Sequence, residues 1–132
     1  MREITIEVSG YPPAKNEAKS MLAAGHVHAG RVMALLCAAR DAAGPGPEVY
    51  FSVVSLGLEL VVTSPAPPPS DATNYLGGVA DVLEDKGSRG DLAHLGEFAH
   101  FALCPNDRQF HEVRYRWEHG PDVGYQIRIW EL

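Results

Sequence analysis

Asp71, Asn74, Asp81 and Asp85 recur at helical spacing in the stretch Pro67–Asp85, PPPSDATNYLGGVADVLED. At about 100° per residue they fall, with Gly78, within roughly an 80° arc. Tyr75, Leu76, Val79, Val82 and Leu83 fall on an adjacent arc, the mark of a helix packed on a core. A polar, acidic arc in that position reads two ways, as a solvated face or as a site for a divalent cation. Magnesium prefers hard oxygen ligands and takes one or two protein carboxylates, with water and substrate phosphate completing its shell. Zinc is not indicated. His26 and His28 sit in a loop pattern, His94 and His100 flank Phe98, and none has a His-x-x-x-His or Cys-x-x-Cys companion. Cys37 and Cys104 lie in no nucleophile motif, and Cys37, on an apolar helix, is expected in the core.

The rest of the chain must supply the scaffold. Ser70, Asp71 and Thr73 are candidate caps for the acidic helix. Gly77 and Gly78 cost that helix roughly 1 kcal/mol each relative to alanine, which implies close approach of another backbone or a ligand. Upstream, Glu3–Val8 alternates as a half-buried strand. Ser9–Pro13 stops it, and Lys15 follows as an exposed loop cation. Val32, Leu35, Leu36 and Ala39 mark the inner face of a helix from about Val27 to Ala43, ended by Gly44–Pro47. Glu48–Thr63 reads as a long strand with Val54, Leu56, Leu58, Leu60 and Val62 inward. Gly57 in it suggests a bulge or a crowded neighbour. Ser64–Ser70 is an extended proline-rich connector.

After the acidic helix, Lys86–Gly96 is glycine-bearing, charged and expected to be the most mobile internal segment. Glu97–Leu103 reads as a short strand. Phe110–Glu118 and Tyr125–Glu131 alternate around Gly120–Gly124 and read as a hairpin. The order predicts an α+β fold, a mixed β-sheet with two main helices packed on it, in one domain over 1–132.

The chain has 132 residues, 45% of them hydrophobic, enough to bury a core. Its net charge is −6, so it exerts no long-range pull on nucleic acid. No apolar run approaches the ~20 residues of a membrane helix, and Met1-Arg2-Glu3 leads into a strand without a signal-peptide pattern. With two cysteines, the expectation is a reducing, cytoplasmic setting and no membrane partner. Arg114, Arg116 and Arg128 lie on the last two strands. They read either as cross-strand partners of Glu112, Glu118 and Glu131 or as a phosphate-contacting face, which Lys15, Arg31, Lys86, Arg89 and Arg108 would extend.

Four features in this order resemble the RusA-like Holliday junction resolvases. They are Gly10-Tyr11-Pro12-Pro13-Ala14-Lys15-Asn16 after a strand; a long strand ending in a proline-rich turn; Asp71-Ala72-Thr73-Asn74 with Asp81-Val82-Leu83 downstream; and Asn106-Asp107-Arg108-Gln109-Phe110 before an alternating tail. The resemblance runs almost end to end. It implies a RusA-like fold, a homodimer acting on branched DNA, and magnesium-dependent endonuclease activity. The catalytic residues it implies are Asp71, Asp107 and Asn74. The implied metal set is Asp71 and Asp107, with Thr73 and Asp81 as further candidates, and Asp71 and Asp107 are expected to converge. On the phosphate-contacting reading of the last strands, the nucleic-acid contacts expected are Lys15, Arg114 and Arg116. The chain departs from the family pattern where Thr73 replaces an aspartate, Gly77 a lysine and Asn106 an aspartate, and Lys86–Cys104 lengthens a turn. These departures leave a second reading open, a catalytically degenerate RusA-fold binding module.

Overall fold

The structure is a computed structural model and describes residues 2–15, 29–45, 49–85, 96, 98 and 101–132. Its elements are β1 (Glu3–Ser9), α1 (Ala29–Ala43), β2 (Leu56–Ser64), α2 (Ala72–Leu83), β3 (Phe110–His119) and β4 (Gly124–Glu131), with a 3-10 turn at Asp107–Gln109. The architecture is the expected α+β, a four-stranded mixed sheet carrying two helices. Strand order is β1-β4-β2-β3. β4 runs antiparallel to β1 and β2, and β2 runs parallel to β3.

β2 is buried along its length except at Glu59 and Thr63, so it takes an interior place in the sheet. Leu56, Leu58, Leu60 and Val62 form the core with Ile4, Ile6, Ile127 and Ile129. The helices close this face through Val32, Leu35, Leu36 and Ala39 of α1 and Tyr75, Val79, Val82 and Leu83 of α2. Gly57 meets both expectations. The β2–β3 register shifts between Leu56 and Gly57, and a Cβ there would lie 2.3 Å from the Trp130 ring.

Three expectations are corrected. β3 and β4 are not a hairpin, because β2 lies between them, and the Gly120–Val123 connection instead crosses the end of β2. Gly120 makes that crossing possible: its N–H donates to the Ser64 carbonyl at 3.1 Å, and a Cβ would sit 2.3 Å from Thr63 Cγ2. The strand expected from Glu48 begins only at Leu56. Before it, the Gln109 carboxamide donates to the Ser52 and Val54 carbonyls at 2.8 and 2.9 Å, drawing them away from any ladder. Cys37 is exposed, since it lies about 140° round α1 from Val32, off the inner stripe; Cys104 is the buried one.

Within the segment expected to be a strand at Glu97–Leu103, the described Phe101–Leu103 makes only an isolated bridge, Ala102 to Val49. The histidines His26, His28, His94 and His100, the cations Lys86 and Arg89, and the segment Lys86–Gly96 that was expected to be mobile, apart from Gly96, lie outside the described residues. Among the described residues no helix is long and apolar enough to cross a membrane.

Candidate functional site at the ends of α2

α2 begins where the proline-rich connector hands the chain to Asp71. Asp71 is extended (φ −85°, ψ 170°), and its Oδ1 accepts the Asn74 N–H at 2.8 Å, so it is the cap among the three candidates. The carboxylate stands at the positive end of the helix dipole, where negative charge is favoured. Its second oxygen takes no hydrogen bond from the described residues. Thr73 and Asn74 are exposed beside it. The anticipated polar arc is interrupted: Gly78 is buried, Asp81 is half-buried at about 15 Å along the axis from Asp71, and Asp85 lies beyond the helix end.

Tyr75, one position past Asn74, is fully buried and stacks on Tyr115 of β3 with ring centroids 6.5 Å apart. The Tyr75 hydroxyl has no hydrogen-bond partner among the described residues. Burial holds the Tyr115 hydroxyl above its usual pKa, reinforced by Tyr75 and by the Asp71 carboxylate.

The segment after β1 comes to this same turn. Gly10 turns the chain with φ 93°, Pro12, Pro13 and Ala14 are buried, and the Lys15 N–H donates to the Asn74 carbonyl at 3.0 Å. The Lys15 side chain lies over Gly77: a Cβ there would be 3.3 Å from Lys15 Cδ and 3.6 Å from its Cβ.

Asp107 is at the other end of α2. Its N–H donates to Oε2 of Glu84, the residue that ends the helix, at 3.1 Å. It opens the 3-10 turn that leads into β3 and is framed by a reciprocal cap. Asn106 Oδ1 accepts the Arg108 N–H at 2.8 Å, and Gln109 Oε1 accepts the Asn106 N–H at 3.0 Å. The convergence of Asp71 and Asp107 expected from the sequence is therefore absent within one chain. α2 returns antiparallel to β2 and β3, so its start lies toward their C-terminal ends and Asp107 toward their N-terminal ends. The 12-residue helix spans about 18 Å, too far for one ion and a bridging water.

The three expected nucleic-acid contacts also fall on two surfaces. Lys15 is on the helix side. Arg114 and Arg116 lie on the opposite, open face of the sheet, where Arg114 pairs with Glu112 at 2.7 Å and approaches Glu59 at 3.9 Å, and Arg116 pairs with Glu118 at 2.8 Å. Arg128 stands 4.0 Å from Glu3 and not beside Glu131, whose carboxylate accepts the Arg2 N–H. Arg2, Arg31, Arg40, Arg114 and Arg128 lie over aromatic rings. Lys15 and Arg108 have neither a ring nor a carboxylate partner among the described residues. One flanks the Asp71 end of α2 and the other is next to Asp107.

The structure adds Glu84 to what the motifs named and gives Gln109, already in the motif, its capping role. The Asn106–Gln109 spacing is the sequence signal of the cap, while the Glu84 contact has none. No three histidine, cysteine, aspartate or glutamate side chains gather as a metal site among the described residues. No protein-family model and no curated protein matches this chain.

Proposed function

We propose that the chain is a magnesium-dependent, structure-specific endodeoxyribonuclease that cuts branched DNA as a homodimer, with Asp71 of one protomer joined by Asp107 of the partner subunit. The observation that carries this reading is the distribution of uncommitted cations. In a chain of net charge −6, Lys15 and Arg108 are left without a carboxylate or ring among the described residues. Lys15 packs on the N-terminal half of α2, the helix that Asp71 caps, and Arg108 follows Asp107 in sequence; the RusA-like motifs single out those two carboxylates. A nuclease needs positive charge at its carboxylates to hold a phosphate.

The separation of Asp71 and Asp107 along α2 requires a second copy if one site is to use both, and a two-fold dimer makes two such sites. The donors fit magnesium. Asp71 offers the oxygen not used in capping, and Thr73 and Asn74 offer neutral oxygens beside it. Asp81, well along the helix, is left outside the site. When bound, magnesium would neutralise charge on the phosphate and lower the pKa of a water. Asp107 is held in place by Glu84 and the Asn106–Gln109 cap, and Arg108 next to it would take a flanking phosphate.

The test is cleavage of a synthetic four-way junction with magnesium at low salt, read on a denaturing gel. Asp71→Asn and Asp107→Asn should each abolish cutting. Co-expression of the two variants should restore nicking to about a quarter of the wild-type rate, since half of the dimers are mixed and each mixed dimer rebuilds one of two sites. A site built within one chain gives no restoration. A wild-type protein that binds the junction and never cuts it leaves the binding-module reading, which the loss of one Asp71 oxygen to the cap favours.

A further inference from the structure

We propose that Gly77 is a notch that lays the Lys15 side chain along the first turns of α2 and aims its ammonium at a DNA phosphate held at Asp71. The inference rests on the nuclease reading and gives that site its phosphate-binding cation. A glycine inside a helix is unfavourable by propensity alone, so its presence calls for a local reason. At Gly77 the reason is steric, for the space a side chain would fill is taken by the Lys15 stem, 3.3 Å from the would-be Cβ. The backbone is fixed as well. Pro12, Pro13 and Ala14 are buried, and the Lys15 N–H is tied to the Asn74 carbonyl. A lysine stem normally lies where it finds apolar surface while its head stays in water. Here the stem runs over Gly77, in the second turn of α2 after Asp71, and the head meets no carboxylate among the described residues. A cation held in place by its stem and backbone, yet unneutralised, loses less freedom on binding a ligand than a free surface lysine would lose.

The experiment measures binding of a synthetic four-way junction over a range of salt, with calcium replacing magnesium. Lys15→Met keeps the stem and removes the charge. It should weaken binding several-fold and reduce the slope of log K against log salt by about one, the loss of a single phosphate contact. Lys15→Arg should keep the slope. Gly77→Leu fills the notch with a good helix former. It should lower the slope as Lys15→Met does, and the double variant should lose no more than either alone.

Thermal melts of the same proteins check the notch directly. Gly77→Leu should raise Tm more in a Lys15→Ala background than in wild type, because the displaced stem is gone. A wild-type protein that does not bind the junction overturns the nuclease reading and this inference together. Junction binding whose salt slope is unchanged in Lys15→Met overturns the inference alone. Additive effects of Lys15→Met and Gly77→Leu, or equal Tm shifts in the two backgrounds, also overturn it.

Discussion

Tyr125 illustrates how a single group sets a pH limit on this fold. Its ring is in the core and its hydroxyl is buried without a hydrogen-bond partner among the described residues. Burial pushes its pKa far above the usual tyrosine value, with Arg31 pulling weakly the other way. In the unfolded chain the proton leaves near pH 10, while in the folded protein it stays. Stability from this group is therefore complete below about pH 10 and falls by roughly 1.4 kcal/mol per unit as pH rises further. Tyr125→Phe should raise stability by about 1 kcal/mol at neutral pH, by removing an unpaired buried hydroxyl. It should also flatten the alkaline decline. Urea unfolding at neutral pH and near about pH 11 checks both. A lower stability at neutral pH would show that the hydroxyl is satisfied after all. Asp71 shows the same economy at the site: its sequence neighbourhood announced a helix start, and the residue is both cap and candidate ligand.

Among the elements, the β3–β4 connection separates what local sequence can reveal from what it cannot. Gly120-Pro121-Asp122-Val123-Gly124 marks a chain reversal, and the chain does reverse there. Turn chemistry is indifferent to whether another strand lies between the two arms. Only the depth of burial of β2 decides that, and it places β2 inside. Gly120→Ala should cost about 1–3 kcal/mol through collision with Thr63 Cγ2. Thr63→Ser, which removes that methyl, should recover much of the loss when combined with Gly120→Ala, though alone it should slightly destabilise. A denaturant double-mutant cycle reads the coupling, and strict additivity would mean the crossing is not tight.

The helices were legible because their apolar spacing is local, down to Val32, Leu35, Leu36 and Ala39. The start of β2 was not, because Gln109, more than fifty positions away, engages Ser52 and Val54. The supposed meeting of Asp71 and Asp107 failed for a related reason: the direction of α2 relative to β3 belongs to the topology, and motif spacing does not contain it.

For the whole molecule, the two faces of the sheet carry different charge logic. The open face bears Glu3, Glu7, Glu59, Glu112 and Glu118 around Arg114, Arg116 and Arg128, so its net effect on a polyanion is repulsive. The Glu112 contact raises the Arg114 pKa through a hydrogen bond and then through charge, which marks that guanidinium as already engaged. The helix side presents Lys15, and the β3 start presents Arg108. With a net charge of −6, the proposed binding to DNA would have to come from such local concentrations of charge, because the long-range field opposes approach. Neutralising the two β3 arginines of the open face, Arg114→Gln with Arg116→Gln, should therefore leave junction affinity in calcium within about twofold of wild type. Arg108→Gln should weaken it several-fold and lower the salt slope by about one. The comparison is made at matched salt on protein whose melting temperature is unchanged, so that a folding defect is not read as lost contact. A tenfold loss on changing Arg114 and Arg116, with Arg108→Gln silent, would put the DNA on the open face of the sheet. It would take the phosphate away from both ends of α2 and leave the two carboxylates without the cations that the proposed nuclease site requires.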